Sequence, residues 1–394
     1  MTARTGAHHT ATGQGSLFLA LVLAAVALRP QLVALGPLED EIRSGLGISR
    51  AAFGVLSALP LVGMGVFALG AAPLARRVGT RTAVALALWI LTAGSLLRVV
   101  APGYLIVVAT TIALSIGMGL GNALPAMVVK ERAPLAAATG TAAYTAGIQI
   151  GATIAAALAV PLSVWAGGWR ASLAVIALLG LGAALTWPLL VGHAPQAGAR
   201  TGPAGERDTR VPAVWRPLAG VLAATNCMYY GVIAWVSADL IQAGWSASAA
   251  GLALAVLSVA SIISTVIYGM LGGRIGTRAS WAVCSMAGLI IGLAGIVLAP
   301  GLALVWALIF GLGNGSGFAA MMTFPLDLID DPAAVAAVAG RMLLGGYVVG
   351  AIAPPLLGLL RDMTGSYVLG FAGLIAFVLV AIPIVFGLGR RARG

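Results

Sequence analysis

The chain has 394 residues, of which 60% are hydrophobic and only 8% charged, and its formal net charge is +11. A soluble globular surface needs about 25% charged residues, so most of this surface is expected to face lipid. No basic stripe or aromatic platform accompanies the positive charge, which argues against nucleic acid as a partner. Cys227 and Cys284 both fall inside apolar runs, which argues for free thiols over a disulfide framework.

A hydrocarbon core about 30 Å thick takes roughly 20 apolar residues per helix. In chain order, spans are predicted at Leu17–Pro37, Ala52–Ala75, Thr82–Val100, Tyr104–Val128, Ala136–Val160 and Ala171–Val191. Six more follow at Pro217–Ala238, Ala249–Leu271, Ser280–Leu298, Leu302–Phe324, Ala333–Leu357 and Gly365–Leu388. The 16 mostly polar residues ahead of the first run have no cleavable-signal layout, since further spans simply continue. Residues 193–215, rich in Pro, Gly and charge, read as a linker. The expected organisation is an N-terminal tail over 1–16, a six-helix bundle over 17–192, the linker at 193–215, a second six-helix bundle over 216–389, and a basic tail at 390–394.

The two halves repeat. Leu74-Ala75-Arg76-Arg77-Val78-Gly79-Thr80-Arg81 recurs as Leu271-Gly272-Gly273-Arg274-Ile275-Gly276-Thr277-Arg278, an offset of 197 residues. The same offset pairs Gly47 with Gly244, Ser49 with Ser246, Ala52 with Ala249 and Gly54 with Gly251, and residues 47–81 hold 11 identities in 35 positions. Duplicated halves in a very apolar chain predict an all-α integral membrane protein: twelve transmembrane helices in two pseudo-symmetric six-helix bundles, with a site between them.

Positive charge sets the expected orientation. With the N-terminus in the cytoplasm, 15 of the 22 Lys and Arg residues fall inside, and Arg43, Arg50, Arg98, Arg170 and Arg361 fall outside. That bias predicts a multi-pass protein with both termini cytoplasmic.

Arg29 and Arg341 fall within spans, and intramembrane arginines usually face a bundle interior or a water-filled path. Offsetting Arg29 by 197 lands on Asn226, which shares a helix face with Tyr229 and Tyr230. These five are candidate substrate contacts, with Asn122, Tyr144, Gln149, Asn314 and Tyr347 as further candidates, each weighed equally as a helix–helix hydrogen bonder. The eleven acids are Glu39, Asp40, Glu41, Glu131, Glu206, Asp208, Asp239, Asp327, Asp330, Asp331 and Asp362, none of them mid-span. Arginines without a buried acid favour an anion, or a polar neutral molecule rich in acceptors, as substrate. Gly117-Met118-Gly119-Leu120-Gly121 and Gly311-Leu312-Gly313 lie in membrane spans without a strand, so they are expected to serve helix packing and rocking and not nucleotide binding.

Twelve spans, a central linker and the loop Leu-x-x-Arg-x-Gly-x-Arg, written twice, resemble the major facilitator superfamily. The resemblance implies that fold, the inner membrane of a bacterium, and cytoplasmic gate loops formed by Arg77, Gly79, Arg81, Arg274, Gly276 and Arg278. The family's usual acid before the first Arg is replaced by Arg76 and Gly273, which puts its inner-side latch in doubt. Leu28-Arg29-Pro30, Gly36-Pro37-Leu38, Leu97-Arg98, Gly121-Asn122-Ala123-Leu124-Pro125 with Lys130, Gly168-Trp169-Arg170, Gly346-Tyr347 and Thr364-Gly365-Ser366-Tyr367 are similar to the cyanate permease and 2-nitroimidazole transporter group. That likeness implies small anions or nitrogen-rich aromatic compounds.

The expectation is therefore a secondary or facilitative transporter, monomeric, working by alternating access on a small molecule. No cofactor or metal is expected. Arg341 is expected to be a second positive contact or an inner-gate residue. A drug-efflux antiporter would share the fold but usually keeps a buried acid for its cationic substrate. A receptor would need a sizeable soluble module, and an enzyme a catalytic constellation.

Overall fold

A computed structural model describes residues 4–133, 137–192, 212–272, 274–329 and 332–391; most of the expected linker, 193–211, lies outside these. Among the described residues, twelve helical spans are long and apolar enough to cross a bilayer. They are α1 (Gly15–Leu46), α2 (Arg50–Val78), α3 (Thr80–Val100), α4 (Tyr104–Arg132), α5 (Ala143–Ala166) and α6 (Trp169–Leu190). The second bundle holds α7 (Trp215–Gln242), α8 (Ala247–Leu271), α9 (Arg278–Leu298), α10 (Pro300–Asp327), α11 (Val338–Thr364) and α12 (Val368–Arg391).

Several spans run further than their apolar cores. The first continues through Pro37 into a polar turn that starts with Glu39, Asp40 and Glu41 and ends at Leu46. The fifth extends past Val160 to Ala166 and the eleventh past Leu357 to Thr364. The helix that leads into α1 already begins at Arg4, within the expected tail. Hydropathy marks the stretch that sits in hydrocarbon, whereas backbone hydrogen bonding carries a helix on through its polar ends. Large side chains such as Val164, Trp165, Leu189 and Leu298 are fully outward, an arrangement that suits lipid and not water.

The repeated residues do the same work in both halves. Ser49 and Ser246 are N-caps whose hydroxyls accept the Ala52 and Ala249 amides, each at 3.2 Å. Gly47 and Gly244 turn the chain into those helices with φ of 64° and 96°, in the left-handed region that favours glycine. Gly54 and Gly251 allow contact across the two bundles: a side chain at the first would strike Pro354 and Pro355 of α11, and at the second the Ala156 carbonyl of α5.

Those two contacts belong to one closed face. An even number of spans puts both chain ends on one side, here termed the terminal face. On the opposite face Gly36 meets the Ile233 carbonyl, and Gly358 meets the Arg50 carbonyl. Phe53 lies edge-on to Trp235 with centroids 5.3 Å apart. The glycine runs serve close packing, as expected. Gly117, Gly119 and Gly121 seat α4 on α3, α2 and α1, and Gly311, Gly313 and Gly315 seat α10 on α8 and α9. Both runs pack each bundle internally.

Candidate substrate site at the break in the first helix

Arg29 stands where the first helix is interrupted. The helix stops at Leu28 and resumes at Pro30, with Arg29 as the N-cap of the short turn that follows. Proline has no N–H, so the Val26 carbonyl is deprived of its helical donor, and Gly151 of α5 packs against that carbonyl. The Leu32 and Val33 amides both donate to the Arg29 carbonyl, at 3.0 and 3.1 Å. The break thus fixes the Arg29 backbone about halfway along α1. Its side chain is part-buried among the spans.

Four tyrosines from three other spans surround it. Tyr144 on α5, Tyr229 and Tyr230 on α7, and Tyr347 on α11 lie within electrostatic range of its guanidinium. Ring centroids are 4.9 Å apart for Tyr229 and Tyr230 and 6.2 Å apart for Tyr230 and Tyr347. Tyr144 donates to the Gly121 carbonyl at 2.8 Å, the carbonyl that Pro125 leaves without a helical donor. Residues 226–238 of α7 are buried without exception, which is why polar groups on this helix point at protein and not at lipid.

Asn226 lies one turn before the tyrosine pair. It is 5% exposed, and its Nδ2 has no hydrogen-bond partner. An unpaired buried donor costs about 1–3 kcal/mol, so α7 carries an unused donor one turn from the tyrosines, where its Cβ packs against Gly350 of α11. Asn122 and Gln149 are half-buried on α4 and α5. Asn314 donates to the Ser261 hydroxyl at 3.3 Å and so serves helix packing. Arg341 is exposed and sits six residues before Tyr347 on α11, about 9 Å nearer the terminal face at 1.5 Å per residue. The structure does not bring it to the tyrosines.

The described carboxylates keep to the helix ends. Glu131 accepts from Thr80 at 2.7 Å, and Asp327 pairs with Arg278. Arg81 donates to the Val191 and Pro188 carbonyls at 2.5 and 2.8 Å. Gly79 and Gly276 turn these loops at φ of 82° and 72°, with Arg77 and Arg274 exposed beside them. These ties at the terminal face all run within one bundle. No group of three or more metal-ligating side chains occurs among the described residues.

Two features escaped the reading of the sequence. The first is a clasp on the opposite face, where Arg50 of α2 reaches Asp362 of α11 at 3.7 Å and donates to the Tyr367 hydroxyl at 3.3 Å. On its own side Arg50 faces Glu39 at 3.8 Å, which also pairs with Arg43 at 3.1 Å. The Ala51 amide donates to Asp362 at 3.1 Å. Burial holds the Tyr367 hydroxyl above its ordinary value, so it serves Arg50 as a neutral phenol. Residues 317 positions apart in the chain make this contact, and no local pattern announces it. The second is Arg98, counted among the outside charges but 1% exposed and hydrogen-bonded to α1. A signal did exist: Val84, Leu88, Leu91 and Ser95 form a buried stripe at helical spacing, and Arg98 continues it.

Residues 17–242 match the Major Facilitator Superfamily profile. The chain belongs to the major facilitator superfamily. Within the superfamily it is 28% identical over 384 residues to the cyanate transport protein of Escherichia coli (strain K12), covering 94% of this chain and 98% of that protein. It is 28% identical over 377 residues to the 2-nitroimidazole transporter of the same organism, covering 94% of each. Among solved structures, the bacterial homologue of the human lysosomal transporter Spinster, inward-facing and occupied, superposes with a TM-score of 0.80 at 16% identity, over 96% and 97% of the two chains. The D-xylose–proton symporter gives 0.72 at 17% identity, over 94% and 96%. The structural likenesses establish the fold. The protein is a multi-pass membrane transporter of this superfamily and not an enzyme.

Proposed function

We propose that the protein moves a small anion, or a polar nitrogen compound of the cyanate or nitroimidazole kind, across the bacterial inner membrane by alternating access, with both termini cytoplasmic. The observation that supports this most is the Arg29 guanidinium set among four tyrosines, with the described carboxylates all at helix ends. An Arg in a membrane interior costs about 2.5–3.5 kcal/mol, and here no acid offsets it. A bound anion would offset it through a planar, bidentate contact. The phenol hydroxyls and the Asn226 donor would take the remaining acceptor atoms, and the tyrosine rings would flank a flat substrate.

In this reading the opposite face is the periplasmic one, held shut by the Arg50 clasp and the glycine contacts, and substrate reaches Arg29 from the cytoplasmic side in this state. Arg341, one to two turns nearer that side, would be an inner-gate residue passed on the way. Rocking about the site would then open the clasp and close the terminal face. A cyanate-like or nitroimidazole-like cargo also agrees with the two relatives of similar length. The test is uptake into liposomes by purified protein, using a panel of small anions and nitroheterocycles with and without a pH gradient. At least one should be transported in a protein-dependent way; transport of none of them would overturn the reading.

A further inference from the structure

We infer that Arg98, acting through Gln31, is a positioning residue that sets Arg29 in place, an inference that rests on Arg29 being the substrate contact. After the break at Pro30 the first helix narrows: the Leu35 amide donates to the Leu32 carbonyl at 3.3 Å and not to Gln31. The Gln31 carbonyl is thereby left without its helical donor. Arg98 fills that place, donating from its Nη2 to the Gln31 carbonyl at 3.2 Å and, in a shorter bond, to the Gln31 side-chain oxygen. Gln31 in turn donates from Nε2 to the Leu173 carbonyl of α6 at 3.1 Å.

Three spans are thus tied at the turn that begins with Arg29. Gln31 and Arg98 are 2% and 1% exposed, so water does not compete for these bonds. The end of α3 that carries Arg98 is itself held, because Arg170 donates to the Ala101 carbonyl at 2.7 Å. Arg98 has no carboxylate partner, and its Nε makes no hydrogen bond. A methionine of similar length would avoid the large desolvation cost of a buried charge. What methionine could not do is hold the freed Gln31 carbonyl and side chain together, and with them the angle at which the chain leaves Arg29. A shift of about 1 Å in a binding group is enough to change a reaction about 100-fold.

The test measures KM and kcat for the best anion of the liposome panel in Arg98→Met, Arg98→Lys and Gln31→Met, at equal reconstituted abundance and with thermal midpoints recorded. Arg98→Met and Gln31→Met should each raise KM tenfold or more with a smaller change in kcat, and Arg98→Lys should recover part of the loss. In an Arg29→Lys background, adding Gln31→Met should change KM by less than twofold, because coupled residues are non-additive. Should Arg98→Met fail to insert, Gln31→Met carries the test, since it removes the side-chain bonds to Arg98 and Leu173 and leaves only the backbone carbonyl bond, without removing a charge. Wild-type KM in Gln31→Met, or an equal rise in both backgrounds, would overturn the inference and leave the role of Arg29 standing. An unchanged KM in Arg29→Lys alone would overturn the substrate-contact reading on which it rests.

Discussion

Replacing Arg50 with Gln should loosen the closed face without unfolding the protein. Its cross-bundle contacts are an ion pair to Asp362 at 3.7 Å and a hydrogen bond to Tyr367 at 3.3 Å. The paired side chains are 21% and 27% exposed, so solvent screening holds the ion pair to about 0.5–1 kcal/mol. The hydrogen bond from a charged donor adds about 1 kcal/mol. Losing both moves the balance between closed and open by about 1–2 kcal/mol, a factor of roughly 5–30. Glu39 keeps Arg43 at 3.1 Å, so no buried acid is orphaned and the fold should survive. Asp362→Asn removes only the ion pair and leaves an oxygen for the Ala51 amide, so it should give a smaller change, about 2–5-fold. The assay is a distance distribution between spin labels at Val100 and Leu298, the outward-facing ends of α3 and α9, with Cys227 and Cys284 replaced by Ser. A longer-distance population should grow in the order wild type, Asp362→Asn, Arg50→Gln. Identical distributions in all three would refute the clasp.

Other consequences can be measured alongside. Gly54→Leu and Gly358→Leu put side chains into backbone on the facing bundle; each should cut transport at least about tenfold at normal abundance, by blocking closure of that face. Tyr230→Phe and Tyr347→Phe each remove one hydroxyl from the site and should raise KM about 2–10-fold, read from uptake curves. An empty carrier must occlude Arg29 uncompensated, which costs far more than occluding it with an anion. Uptake into vesicles preloaded with the same anion should therefore be several-fold faster than net uptake into empty ones.

Much of the architecture could be read from local chemistry. A capping serine, a left-handed glycine and a basic loop declare the same helix start and stop twice, so the duplication and the twelve spans follow from the chain. Arg29, Asn226 and the tyrosine pair stand out in the sequence because polarity inside an apolar run needs a reason. In the fold Tyr144 and Tyr347, from two further spans, come within electrostatic range of Arg29 as well. Contacts made only across the bundles were not legible. Arg50 lies at a helix start and Asp362 near a helix end, where charges ordinarily meet water, and only tertiary packing turns them toward each other. Arg98 misled for a related reason. Two residues from the end of an apolar run it counts as an outside charge, whereas the carbonyl it serves is freed by a proline 68 positions earlier.

The central claim is that Arg29 binds the anion that is carried. It is tested most directly by the affinity of purified wild-type, Arg29→Lys and Arg29→Ala protein for the best-transported anion, measured at equal abundance. A hydrogen-bonded charge contact is worth about 1.5–3 kcal/mol, so Arg29→Ala should bind about 10- to 100-fold more weakly. Arg29→Lys should fall between the two, because a point charge does not reproduce the planar fork. Undiminished binding by Arg29→Ala would contradict the account.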